Sequence, residues 1–351
     1  MIYLDNAATT KPSTAATKAA ILAFEAFGNP SSLHHVGLEA SKALSGARAA
    51  IAKIIGAKPQ EIYFTSSGTE ANNIAILGGA KKRNGQAIFT TYHEHSSVNA
   101  PLAKLTANGD FEITHDAQAP KIALATFAHV NSETGEIRDI STLSNQIKKN
   151  NPDCLVHVDA AQSFCKLPIN VAQLGVDMLT MSAHKIGGLK GVGALYVRSG
   201  VNLTPQTLGG GQEAGLRSGT ENMPGIMAFA ACATDYWECY KGNYHNAQAL
   251  KADFLKIIDE VNSITINGEN CSPYILSISI EGIKSHILLN ALSAQGVCVS
   301  TGSACSTKKQ HKGGAEALRI SFGADTTQDE ITKAKEIFAN CIKMLDGVRS
   351  K

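Results

Sequence analysis

Short apolar runs alternate with stretches of helical patterning along most of the chain: EIYFT (61–65), QAIFTTY (86–92), KIALATF (121–127), LVHVDA (155–160), DMLTMSA (177–183) and GALYVR (193–198). Runs this short, apolar at nearly every position, suit strands covered on both sides, and the helices between them supply the crossovers that parallel strands need. The pattern therefore predicts an α/β fold whose mostly parallel central sheet carries helices on both faces. Segments 70–82 and 140–149 read as crossover helices. The run 209–211, all glycine, reads as a flexible connection, and a long helix is expected from about 225 to 261.

Beyond that helix the texture changes. YILSISI (274–280), a helix over 284–295, VCVST (297–301), LRISFG (318–323) and a closing helix over 328–345 describe a smaller α+β domain. A chain of 351 residues exceeds the size at which one core keeps growing. The expected division is a large domain over 13–240 and a small one formed by 1–12 and 241–351. No internal repeat or low-complexity tract interrupts either.

Composition narrows the function. With 44% hydrophobic and 18% charged residues and a formal net charge of +2, the chain is globular and gives no reason to expect nucleic acid or an anionic membrane as partner. Small-molecule binding is the default. The first residues carry Asp5, Lys11 and Lys18 and lack an apolar signal core, so no secretory leader is expected, and no uncharged run is long enough for a bilayer. The 8 cysteines are scattered without a CxxC pair, which suits a reducing cytoplasm.

The sharpest local signal is Ser182-Ala183-His184-Lys185 after an apolar run and before Gly187 and Gly188. A lysine leaving a strand at the carboxyl edge of an α/β sheet can form a Schiff base in a ligand pocket. The same string also fits a surface lysine beside a turn. What shifts the balance is Asp159, which ends the preceding apolar run one βα unit upstream and would emerge next to Lys185; its other reading is a helix N-cap. FTSSGTEANN (64–73) runs a strand into a small-residue turn that opens a helix, a phosphate-attracting arrangement that equally reads as a capping box of Ser67 and Glu70. It matches neither GxGxxG nor GxxxxGK[ST], so nicotinamide and ATP have little support. In His93-Glu94-His95 one imidazole could stack on a planar cofactor; a metal site lacks HExxH or Cys/His spacing, and none is expected. Cys305 lies among small, polar and basic residues that favour a thiolate, whereas Cys298, in a strand-like run, reads as buried packing. Arg319 in LRISFG could grip a carboxylate, or simply lie on an exposed strand face.

Together these segments resemble the NifS-like cysteine desulfurases of the class V aminotransferase group, enzymes of PLP (pyridoxal 5'-phosphate) fold type I. The likeness runs nearly end to end, through YLDNAATT (3–10), GNPSSLHHVG (28–37), YHEHSSV (92–98), HVNSETG (129–135), HVDAAQS (157–163), SAHKIGGLKGVGALYVR (182–198), LRSGTEN (216–222) and TGSACS (301–306). By that resemblance Lys185 carries the cofactor as a Schiff base, Asp159 pairs with its pyridine nitrogen and Gln162 with its ring hydroxyl. His95 stacks on the ring and serves as acid and base. Gly68, Thr69, Ser182 and His184 hold the phosphate, and Asn131 lies near the ring oxygen and the substrate carboxylate. Asn6 and Arg319 bind substrate. Thr220 reaches the phosphate of a partner subunit, which implies a homodimer. Cys305, carried on the small domain, takes sulfur from L-cysteine as a persulfide, leaves L-alanine, and passes the sulfur to an acceptor protein.

The chain departs from the family pattern in three places. Ser67 stands where the family usually has glycine, the stretch from Cys305 to Arg319 lacks the longer insert of the iron-sulfur housekeeping branch, and the stretch from Leu105 to Ile122 is trimmed. The surroundings of Cys305 still fit the NifS-like branch better than the SufS-like one. A selenocysteine lyase, a cysteine sulfinate desulfinase, an aminotransferase or a catalytically silent sulfur-relay scaffold are the competing readings. The acceptor stays open among an iron-sulfur scaffold, a tRNA-thiolation enzyme, a cofactor-sulfuration protein and a selenium pathway.

Overall fold

A computed structural model describes residues 1–81, 86–257, 261, 264–302 and 317–349. The chain divides into two compact units: Lys11–His129 with Arg138–Cys239, and Met1–Thr10 with Val130–Ile137 and Tyr240–Lys351.

The larger unit is built on a 7-stranded sheet in the order Ile62–Thr65, Gly193–Val197, Met178–Ser182, Leu155–Asp159, Ile122–Ala128, Ala87–Thr90, Glu112–Thr114. Only Gly193–Val197 runs antiparallel to its neighbours; the other pairs are parallel. This is the α/β architecture that the alternation predicts. Successive residues of one strand feed two cores, as the period of a strand requires. Ala194 and Tyr196 join a cluster with Leu44, Ile51 and Ile55 of helix His35–Ile55 and Phe229 of helix Met223–Glu238. Leu195 and Val197 join another with Ile74 of helix Gly68–Gly79 and Leu102 of helix Ser96–Thr106.

The smaller unit has a 4-stranded antiparallel sheet in the order Ser300–Thr301, Leu318–Ser321, Ile275–Ile280, Ile264–Ile266. Its closing helix Gln328–Arg349 buries Ile331, Ala334, Phe338 and Ile342, one stripe at helical spacing.

Several expectations are corrected. The long helix over 225–261 is two helices, Met223–Glu238 and Tyr240–Leu255, because Cys239 leaves helical geometry with ψ at 2°. The VCVST run is not one strand: Val297–Cys298 pairs with Ile2–Tyr3, and Ser300–Thr301 with Leu318–Ser321. Val130–Ile137, expected inside the large domain, belongs with the smaller unit, where Ile137 N–H donates to Asn270 O at 3.1 Å and Ser272 N–H to Gly135 O at 2.7 Å. The glycine run 209–211 leads into an anchored loop. The Glu213 carboxylate grips the Arg48 guanidinium at 2.7 and 2.8 Å and accepts from Phe64 N–H at 2.9 Å. Those bonds hold Glu213 and Ala214 at positive φ, a strained region for residues with a Cβ.

Candidate active site

Parallel strands deliver their carboxyl ends to one edge, and there the larger unit gathers its candidates. Asp159 lies between Ala128 and Thr180 in the sheet register, and Ser182 ends the strand that contains Thr180. The chain then tightens into the 3-10 turn Ala183–Lys185, where Ile186 and Gly188 N–H both donate to Ala183 O at 3.0 Å. Gly187, at φ 84°, turns its carbonyl to accept from Ser13 N–H at 2.8 Å. A Cβ on Gly188 would lie 2.7 Å from Ala183 Cβ, so the glycines set the turn that presents Lys185. His184 and Lys185 are half-buried there. Burial, then the charges of Lys185, Lys190 and Lys166, push His184 down to about 4. Lys166, buried, is pushed to about 7 by burial and then by Lys185.

Helix Gly68–Gly79 starts against this turn. The Ser67 hydroxyl caps it by accepting from Glu70 N–H at 3.1 Å, and the Glu70 carboxylate reaches back to Ser66 N–H. A Cβ on Gly68 would be 3.4 Å from Ser182 Cβ and 3.8 Å from Ser182 Oγ, which places the hydroxyl of Ser182 beside the helix start. Thr69, exposed, follows in the first turn. Ser67 sits at φ −172°, extended backbone open to any residue, so its departure from glycine costs no strain and supplies the cap. Thr220 is exposed and lines a cavity of about 240 Å³ together with Thr65, Ser66, Arg217 and Asn222.

Asp159, buried, accepts from Ala161 N–H at 2.9 Å on Oδ1 and from Asn72 Nδ2 at 2.8 Å on Oδ2. Gln162 is buried just beyond it. His95 is exposed and caps helix Ser96–Thr106. Next to it, Glu94 is buried, pairs with Arg138 at 3.2 Å and accepts from Ala128 N–H at 3.0 Å. Burial, outweighing Arg138, pushes the Glu94 carboxyl up. Sequence reasoning passed over Glu94, Asn72, Ser97 and Lys166 as site residues, although they sit inside or beside the motifs it quoted.

The substrate-binding candidates gather in the smaller unit. Arg319 is buried, contrary to an exposed strand face; Nη1 donates to Ser132 O at 2.7 Å and Nη2 meets Asp5 Oδ1 at 3.1 Å. Its Nε is buried with no partner among the described residues. Asn131 and Asn6 adjoin those two partners. Asn131 Oδ1 accepts from Glu133 and Thr134 N–H at 2.8 and 3.0 Å, and Asn6 Nδ2 donates to Ser321 O at 3.0 Å. Cys298 is half-buried rather than packed away. Cys305 lies outside the described residues.

No helix among the described residues is long and apolar enough to cross a membrane. The sequence matches the aminotransferase class-V family over residues 2–333. It is 36% identical over 380 aligned positions to the putative cysteine desulfurase IscS 1 of Bacillus subtilis (strain 168), covering 98% of this chain and 99% of that protein. The fold superposes on a solved NifS-like protein with a TM-score of 0.90 at 31% identity, covering 98% of this chain and 99% of that one. A structure of SspA in complex with cysteine matches with a TM-score of 0.80 at 32% identity, over 93% of this chain and 100% of that one.

Proposed function

The chain belongs to the class-V aminotransferase family, and from that premise we propose that it is a PLP-dependent cysteine desulfurase that converts L-cysteine to L-alanine and holds the sulfur on Cys305. The supporting observation is the convergence at one sheet edge of a lysine-bearing turn, a buried carboxylate and a helix start. Lys185, Asp159 and Gly68 beside Ser182 are the amine, the acid and the anion cradle that PLP requires.

The residues fit that group. Lys185 would anchor it, and Ser182, His184, Thr69 and the N–H groups at Gly68 would take the phosphate. Asp159 has one donor on each oxygen in the described structure, which leaves lone pairs for a protonated pyridine nitrogen. Gln162 would face the ring hydroxyl, and the exposed ring of His95 would stack. When bound, PLP supplies an electron sink at the substrate α-carbon.

The protein's own residues do the rest. Asn6, Asn131 and Arg319 would orient L-cysteine by its carboxylate, and the Lys185 amine would take the α-proton. The Cys305 thiolate attacks the substrate sulfur. A sulfur–sulfur bond forms, the carbon–sulfur bond breaks with its electron pair staying on carbon, and protonation releases alanine. The persulfide then waits for an acceptor protein, and a reducing cytoplasm would keep Cys305 a free thiol between turnovers. The exposed apolar side chains Ile21, Leu22, Phe24, Phe27, Leu33 and Leu38 support a homodimer, with Thr220 serving the partner's phosphate site.

The test is to incubate the PLP-loaded protein with L-cysteine without reductant, quantify alanine, and map added sulfur by peptide mass. Alanine with one sulfur on Cys305 is expected. Absence of alanine, or sulfur on another side chain, refutes the reading.

A further inference from the structure

Strand Ile122–Ala128 ends beside Asp159: Ala128 is its partner in the sheet register, and His129 N–H donates to Asp159 O at 2.9 Å. One ion pair holds both backbone groups of Ala128. Glu94 Oε2 accepts from Ala128 N–H at 3.0 Å, and Arg138 Nη1 donates to Ala128 O at 2.8 Å while lying 3.2 Å from Glu94 Oε1. Thr91 Oγ1 donates to the same Oε1, Asn99 Nδ2 to Glu94 O at 2.6 Å, and Arg138 N–H to His129 O at 3.0 Å.

Glu94 precedes His95, and the chain bends sharply to bury the first and expose the second. His93 makes that bend at φ 61°, a left-handed conformation that a residue with a Cβ keeps only where its surroundings fix it. The bonds of Glu94 supply that fixing. Burial pushes its carboxyl up, the charge of Arg138 opposes this, and the charge of Asp159 adds to it, so a carboxylate placed here needs its cation. The ring of His95 is held by a separate route. Ser97 N–H donates to Nδ1 at 3.1 Å, Ser97 Oγ lies 2.7 Å from Nδ1, and Asn72 Nδ2 donates to both Ser97 Oγ and Asp159 Oδ2 at 2.8 Å. That route orients the ring and leaves the turn before it to the ion pair.

We infer that Glu94 and Arg138 are positioning residues, a buried pair that fastens the turn at His93 to the end of strand Ile122–Ala128 and so holds His95 in place relative to Asp159 before any cofactor binds. The tasks of His95 and Asp159 rest on the proposed function; the fastening does not.

Full-length Arg138→Leu, compared with wild type by hydrogen exchange and peptide mass spectrometry, reads the fastening directly. Without PLP and with it, exchange is expected to quicken about 10-fold in the peptides that contain Ala128 and residues 91–99. In the PLP-loaded variant kcat for alanine formation is expected to fall about 10-fold with KM for L-cysteine little changed, PLP content full and the circular dichroism of the cofactor's visible band weakened. Unchanged exchange and unchanged kcat would overturn the inference. A single nitrogen of Arg138 makes both contacts, so Arg138→Lys is expected to restore most of the protection and most of kcat; a lysine variant as impaired as the leucine one also overturns it. Should Arg138→Leu not fold, Glu94→Leu combined with Arg138→Leu removes both charges at once. It is expected to show the same faster exchange and lower kcat, and wild-type values in it refute the fastening. A protein whose exchange responds as expected but that forms no alanine refutes the proposed function and leaves the fastening standing.

Discussion

Arg319 meets Asp5 at 3.1 Å, so the guanidinium expected to bind a substrate carboxylate is already braced by an internal one. With Ser132 O fixing the other terminal nitrogen, the fork is set before substrate arrives. Asp5→Asn keeps the shape and removes the charge. It is expected to raise KM for L-cysteine by about 10-fold with kcat little changed, a loss near 1.4 kcal/mol in binding. Steady-state kinetics check this, and a KM within twofold of wild type would show that the brace is idle.

Acid should weaken the fold through its buried imidazoles. His157 is held between Thr126 Oγ1 at 2.8 Å and Thr180 Oγ1 at 3.0 Å, and burial pushes both His157 and His129 down to about 4. A depressed histidine binds its proton more readily when unfolded, so stability is complete above the unfolded value near 6.5 and declines as pH falls toward 4. Each such group contributes a slope of up to about 1.4 kcal/mol per pH unit across that window. Urea unfolding of wild type and His157→Gln at several pH values should show a shallower acid limb in the variant.

Gly193 is the point where the reversed strand passes under the helix start. A Cβ there would fall 2.8 Å from Met181 O and 2.8 Å from Ser67 C. Gly193→Ala must push the Ser67–Gly68 backbone away from Ser182, costing about 1–3 kcal/mol of stability and loosening the phosphate end. PLP retained after dilution should fall well below the wild-type fraction; full retention would mean that the helix start tolerates the shift.

Ser67 gives a graded test of capping. Ser67→Ala removes the acceptor for Glu70 N–H and should cost about 1 kcal/mol, whereas Ser67→Gly should cost only a few tenths. Denaturant midpoints distinguish the two. A larger loss with glycine than with alanine would contradict the cap.

The candidate positions for the proposed chemistry are legible because each sits at a strand end or turn whose residue types are locally forced. Asp159, Lys185 with its glycines, and the small residues around Gly68 can be placed on one sheet edge by counting βα units. Thr126, His157 and Thr180, which join three neighbouring strands, could not be found that way, since their contacts depend on register between strands far apart in sequence. Nor could Asn72 or Ser97 be told from ordinary helix residues, for a buried amide shows its purpose only through what surrounds it. The anchoring of the loop after residue 209 is invisible for the same reason: its glycines are local, and the Arg48 that holds Glu213 is not.

Alternating apolar runs, turn glycines and the order of motifs were enough to specify the α/β sheet, the family and the amine, acid and thiol proposed for the reaction, because each is written in a handful of adjacent residues. Tertiary structure alone decided that Arg319 is buried and braced by Asp5, that one long helical pattern breaks at Cys239, and that Asn72 ties Asp159 to His95. Hydrogen bonds and burial between distant segments have no period along the chain, so they appear only once the strands have taken their register.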